Sequence, residues 1–175
     1  MRMLLFIILM FFLRIDLYSQ EKVRECNSSI FLDIDYSGEI PVYDHPNGNI
    51  TNIVKNDFNK ENYVLFDILL SNDSLFYVSA YYSIGDIIIP IKGWIKKNIH
   101  LGIFSRAYNE PLIFYACPSK DSKSVYIEKE YNPNMYVVLD CIDRWLKVRI
   151  VIEKETYEGW IPPEMQCCNV YSTCN

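Results

Sequence analysis

The chain has little histidine, no long apolar run and no surplus of positive charge, and each shortage removes a class of function. Only His45 and His100 occur among 175 residues. A cysteine or serine nucleophile needs a positioned base, and no such constellation can be assembled around either histidine. The chain is therefore not expected to be an enzyme, and no cofactor is expected. The longest apolar stretch runs from Met3 to Leu13 and is closed by Arg14 and Asp16, well short of the roughly 20 residues a membrane-spanning helix needs. Net charge is −5. The basic cluster Lys92, Lys96 and Lys97 reads as a solvated strand end, too small to attract a phosphate backbone, so nucleic acid is not an expected partner.

Arg2 before the apolar run, with Ser19 and Gln20 after it, follows the grammar of a signal peptide cleaved after Ser19. Leu17 and Ser19 match a small-x-small cleavage site only loosely, which keeps an uncleaved anchor open as the alternative. Cleavage removes two arginines and one aspartate, so the acidic excess of five grows to six. The expected location is periplasmic or secreted, with no membrane span after cleavage.

All six cysteines, Cys26, Cys117, Cys141, Cys167, Cys168 and Cys174, follow the cleavage point, where thiols oxidise, so they are expected to form structural disulfides. Adjacent Cys167 and Cys168 would close a strained ring and should have separate partners. The reading pairs Cys117 with Cys141 and brings Cys26 to the C-terminal cluster. Zinc is the rival account, but Cys-Cys with a third Cys six residues on is no finger or ribbon spacing.

Internal repetition is the most informative feature. Val42-Tyr43-Asp44-His45-Pro46 has the same pattern as Phe114-Tyr115-Ala116-Cys117-Pro118. Leu75-Phe76-Tyr77-Val78 matches Trp145-Leu146-Lys147-Val148, and Gly93-Trp94-Ile95 matches Gly159-Trp160-Ile161. Three anchors kept in order point to a duplicated unit. Within the copies the apolar period is two, as in Leu146, Val148 and Ile150 alternating with Trp145, Lys147 and Arg149, which predicts half-buried strands. Pro46-Asn47-Gly48 and Pro118-Ser119-Lys120-Asp121 supply turns. No segment after the leader shows sustained helical periodicity, so the fold class is all-β.

An opening strand with a turn after Pro, a central Trp-x-x-Val strand and a closing Gly-Trp-Ile resemble the bacterial SH3-like domain. The resemblance covers Ile40 to about Leu101 and Leu112 to about Cys168. It implies two tandem small barrels, packed together and supported by disulfides, of a kind used outside the cytoplasm as binding or spacer modules. The resulting divisions are 1–19 signal peptide, 20–38 N-terminal segment, 39–101 first domain, 102–111 linker, 112–168 second domain and 169–175 tail. The first copy departs by carrying Leu75 where the family often has Trp, and by a longer hairpin through Tyr81 to Lys92.

Trp94 and Trp160 hold the same place in both copies, which predicts packing roles. Trp145 is expected to be partly exposed, on the face away from Leu146 and Val148. Eukaryotic SH3 domains bind extended peptides in a groove made by a Tyr, a central Trp, a Pro and an aromatic residue. Tyr115, Trp145 and Pro162 fit three of these places, with Met165 in place of the aromatic. The first copy has Tyr43, Leu75, Lys96 and Ile99 there. The expected ligand is a cell-wall peptide or glycan, or an extended protein segment. The alternative is a structural or protein-interaction component of an envelope assembly. Asp33-x-Asp35-x-Ser37-Gly38 with Asp44 has the oxygen spacing of a calcium loop, but Ile30-Phe31-Leu32 and Pro41 read as strand and turn, so Asp33 and Asp35 are expected as solvated turn residues. The sequons at Asn27, Asn49 and Asn72 are expected to mark exposed loops.

Overall fold

The structure, a computed structural model, describes residues 22–85, 90–172 and 174. The expected signal peptide lies outside the described residues. The fold is all-β: thirteen strands, with two single-turn 3-10 helices at Phe58–Lys60 and Pro163–Met165. No helix among the described residues is long and apolar enough to cross a membrane.

The strands are β1 (Arg24–Leu32), β2 (Ile40–Tyr43), β3 (Ile50–Val54), β4 (Val64–Ser71), β5 (Leu75–Tyr82) and β6 (Ile91–Lys96), then β7 (Leu101–Ser105), β8 (Leu112–Tyr115), β9 (Ser124–Glu128), β10 (Tyr136–Ile142), β11 (Trp145–Ile152), β12 (Glu155–Ile161) and β13 (Gln166–Cys167). They pair in the order β3-β2-β6-β5-β4-β1-β7-β10-β11-β12-β8-β9, with β13 beside β7. Read from its centre outwards, this order repeats itself. β1 with β4, β5, β6, β2 and β3 on one side mirrors β7 with β10, β11, β12, β8 and β9 on the other.

The correspondence extends to irregularities. A register shift falls between Val42 and Tyr43 against β3, and another between Phe114 and Tyr115 against β9. Tyr43 pairs with Trp94 as Tyr115 pairs with Trp160. The glycine of each Gly-Trp-Ile explains itself here. A Cβ on Gly93 would stand 2.6 Å from the Tyr43 carbonyl oxygen and 2.5 Å from a Val42 methyl, and one on Gly159 would stand 2.7 Å from the Phe114 Cβ. Only a residue without a side chain lets these strands approach so closely.

Strand alternation sorts the side chains as the sequence predicts. Leu146, Val148 and Ile150 are buried, as are Phe76, Val78 and Ala80. Trp160 is buried and Trp94 is half-buried, lying 5.3 Å from the Tyr77 ring between centroids. The first residues of the stretch expected as a linker, 102–105, belong to β7, which pairs with β1: Phe31 with Gly102 and Leu32 with Leu101. Since β1 and β7 are equivalent strands paired antiparallel, the join places a local two-fold axis between the repeats.

The disulfides differ from expectation. Cys26 bonds Cys141, and Cys167 bonds Cys174, while Cys117 and Cys168 are free. Cys117 lies on the exposed turn after β8, at the outer edge of its repeat, whereas Cys26 and Cys141 sit on strands flanking the join. Cys168 is held in place differently: burial pushes its thiol up to about 12, with the Asp67 carboxylate adding to the effect.

Beside Cys26–Cys141 a polar cluster crosses the same join. Asp140 accepts hydrogen bonds from Ser71 Oγ at 2.5 Å, Lys97 Nζ at 2.9 Å, Arg24 Nη2 at 2.8 Å and the Cys141 amide at 2.9 Å. Lys97, expected at a solvated strand end, is instead 12% exposed at its side chain. Burial alone would raise the Asp140 pKa, but the bonds from Ser71 and Lys97 outweigh it and hold the carboxyl below its ordinary value.

The sequon reading is corrected at Asn72, which is buried and accepts from the amides of Ser74 and Leu75 at 3.0 and 2.6 Å. Asp33 and Asp35 form a turn, with the Asp35 amide donating to Asp33 Oδ1 at 3.1 Å. Among the described residues no group of three or more His, Cys, Asp or Glu side chains is placed to hold a metal ion.

Two outcomes follow. Chain entropy assigns about 5 kcal/mol to a cross-link spanning roughly a hundred residues and about 2.5 kcal/mol to one spanning fewer than ten. Replacing Cys26 and Cys141 together by alanine should thus lower the urea-unfolding free energy more than replacing Cys167 and Cys174 together. Second, a carboxyl whose folded pKa is depressed adds stability that is present above its unfolded value, near 4, and lost as pH falls through the folded one. Asp140→Asn should flatten the loss of melting temperature below pH 4 while lowering stability at pH 7.

Candidate functional site

A cleft of about 300 Å³ opens on the second repeat, between the end of β8 and the 3-10 turn after β12. Its walls include Tyr115, Pro162 and Met165, three of the four residues that the sequence assigns to a groove. The remaining one, Trp145, stands behind Tyr115 rather than on the wall, with its ring edge-on to the tyrosine at 5.7 Å between centroids. As expected it is half-buried, and its neighbour is a ring of its own repeat.

Local structure explains the grouping. On β8, Leu112 and Phe114 point into the core while Ile113 and Tyr115 face outward, so period two sets these two side chains along one wall. Pro162 follows the last residue of β12 in extended backbone and Pro163 begins the 3-10 turn that swings Met165 back toward Tyr115. The turn is pinned by the Met165 amide donating to the Pro162 carbonyl at 3.1 Å and by the Arg106 amide donating to the Met165 carbonyl at 2.9 Å.

The rim is polar. Lys120, from the turn after β8, forms an ion pair with Glu164, and Glu110 lies on the wall before β8. The hydrogen bond that Lys120 donates to Glu164 raises the Lys120 pKa. For Glu164, burial would raise the pKa and the Lys120 bond lowers it below the ordinary carboxylate value. Two carboxylates against one ammonium leave the rim with a negative bias.

Sequence reasoning missed Glu110, Pro111, Ile113, Lys120 and Glu164. Ile113 was recoverable from alternation around Tyr115. The others come from turns whose path no periodic pattern reports. The corresponding positions of the first repeat differ. Leu75 is buried where Trp145 stands, and Lys96 Nζ lies 5.8 Å from the Tyr43 ring centroid.

The aromatic pair makes the site's geometry testable. A double-mutant cycle on Tyr115→Ala and Trp145→Ala should give a coupling of about 0.5–1.5 kcal/mol in unfolding free energy; zero coupling would mean the rings do not support each other. Compared with family models, with curated proteins and with solved structures, the chain matches none.

Proposed function

We propose that this protein is a non-catalytic binding module working outside the cytoplasm, built from two SH3-like units. The second unit takes a cell-wall peptide or glycan, or an extended protein segment, in the cleft beside Tyr115. The observation carrying this reading is the meeting of Tyr115, Pro162 and Met165 on one wall with Trp145 edge-on to Tyr115, in the repeat that has a tryptophan where the other has Leu75. Flat, stiff apolar side chains bury ligand surface at small entropic cost, and a few polar groups at the rim fix its direction. The disulfides and the absence of a spanning helix among the described residues are compatible with export.

A second reading, an interaction component of an envelope assembly, is favoured by the strands at the two ends of the sheet. β3 and β9 expose Ile50, Ile53, Val125 and Ile127. Unpaired edges with apolar side chains invite another strand.

One binding experiment separates the readings. Purified wall fragments and a library of extended peptides are titrated into the wild type, Trp145→Ala, Tyr115→Ala and the edge variant Ile53→Asp, each checked for folding by its melting curve. Loss of binding by about tenfold or more in the two aromatic variants, with Ile53→Asp unchanged, supports the cleft. The opposite pattern supports the edge, and retained binding in both aromatic variants rules the cleft out.

A further inference from the structure

Aromatic positions that the duplicated units share are explained by packing; those that only one unit has need another account. By that measure a second place stands out, on the first repeat and far in sequence from the cleft of the second. Tyr82 closes β5, where the equivalent strand β11 ends in Ile152, and Phe58 stands open in a nine-residue connection, 55–63, whose counterpart 129–135 is two residues shorter and keeps its own aromatic, Tyr131, half-buried with its ring 5.3 Å from that of Tyr108. Both rings are large and left open to solvent, at 46% exposure for Phe58 and 37% for Tyr82. They border one depression of about 480 Å³, together with Ser37, Asp57 and Asn59.

The depression is built rather than accidental. Its floor is Asn56, buried and fully engaged: Nδ2 donates to the carbonyls of Asp33 and Tyr36 at 2.9 and 3.3 Å, and Oδ1 accepts from the Val64 amide at 3.0 Å. Asp57 and Asn62 exchange backbone hydrogen bonds at 2.9 and 3.0 Å, which closes the connection into a fixed loop. The Tyr82 hydroxyl donates to the Lys55 carbonyl at 3.1 Å, fixing that ring as a wall. A preformed site of this kind loses little entropy on binding.

Its chemistry selects the ligand. The cation that borders it, Lys55, is held by Glu39 at 3.2 Å, and Lys60 nearby is held by Asp57 at 3.7 Å, so no local charge favours an anion. An extended peptide would need a row of apolar sockets, and here the two rings share the depression with a carboxylate, an amide and a hydroxyl. A neutral sugar ring meets both requirements: its C–H face lies on an aromatic ring, and its hydroxyls bond side chains that offer donors and acceptors together. We propose that the surface formed by Phe58, Tyr82, Asp57 and Asn59 on the first repeat is a saccharide-binding site, distinct from the cleft at Tyr115.

The test is an amide chemical-shift titration of the intact protein with three neutral probes: the N-acetylglucosamine tetramer, maltotetraose and mannotetraose. The expected result is that at least one probe, at millimolar concentration, moves the amides of residues 56–59 and 82 and leaves those of 113–115 unmoved. Phe58→Ala should weaken that binding about tenfold or more, and Asn59→Ala should weaken it as well. Both side chains are exposed, so an unchanged melting curve is expected to show that folding is intact. Tyr115→Ala should leave saccharide binding as it is, which separates this site from the function proposed for the second repeat. Absence of shifts at 56–59 and 82 with all three probes, or shifts that persist unchanged in Phe58→Ala, would overturn the assignment.

Discussion

The pairing of β1 with β7 is the constraint on which the architecture depends. A strand-built unit of about 60 to 75 residues buries too little of its surface to be secure alone, and each repeat here, 24–96 and 101–161, is of that size. Joining the two through their equivalent strands gives one continuous sheet and one cluster of buried side chains drawn from both repeats, in which Phe31 faces Gly102 across the local two-fold axis. Other features crowd the same seam. Cys26–Cys141 crosses it covalently, and Asp140 of the second repeat gathers Arg24, Ser71 and Lys97 from the first. The C-terminal loop closed by Cys167–Cys174 adds a further tie, with the Tyr171 hydroxyl bonded to Ser83 Oγ at 2.5 Å and to the Glu61 carbonyl at 2.7 Å.

Buried charge at such a joint rarely adds net stability over an apolar packing of the same shape, because desolvation consumes much of the attraction. Its effect is selective. Asp140 accepts from four groups in three strands and one loop, an arrangement that only the native register satisfies. A one-residue slip of β10 would take the carboxylate away from Lys97 and leave Arg24 only its 3.5 Å contact with the exposed Asp73. The cluster thus fixes which way the repeats join, while the disulfide and the sheet fix that they join.

The sequence made some of this legible and left some hidden, for reasons that differ by residue. Alternation exposed strands such as β8 and β11 because they have one wet face, whereas β7 is buried at four of its five positions and reads in the sequence as part of a linker; the three anchors exposed the duplication because Gly93 and Gly159 tolerate no side chain. The disulfide pairing was hidden since it depends on a seam between units, which no local pattern encodes. The hairpin between β11 and β12 was hidden as well. It turns through Glu153 and Lys154, both at positive φ, where Asn or Gly would announce such a turn. In the candidate cleft, strand residues were legible and rim residues were not. Tyr115 and Trp145 obey the period of two, whereas Lys120 and Glu164 arrive from turns on opposite sides.

Duplication also supplies its own control for function. Shared residues, such as the glycines and the tyrosines that pair with Trp94 and Trp160, report what the unit needs to fold. Unshared ones report what each copy is free to do: Trp145 behind the cleft of the second, Phe58 and Tyr82 on the first. With the two repeats joined in one sheet and cross-linked by Cys26–Cys141, the spacing of the two surfaces is set by strand pairing, unlike modules on a flexible linker, whose second binding event gains from a high local concentration over a range of spacings. A ligand carrying both a peptide and a saccharide would gain affinity here only if its own spacing matched the one the seam sets. The same strand pairing that completes the shared core would then act as a ruler for composite ligands and discriminate against those of the wrong span.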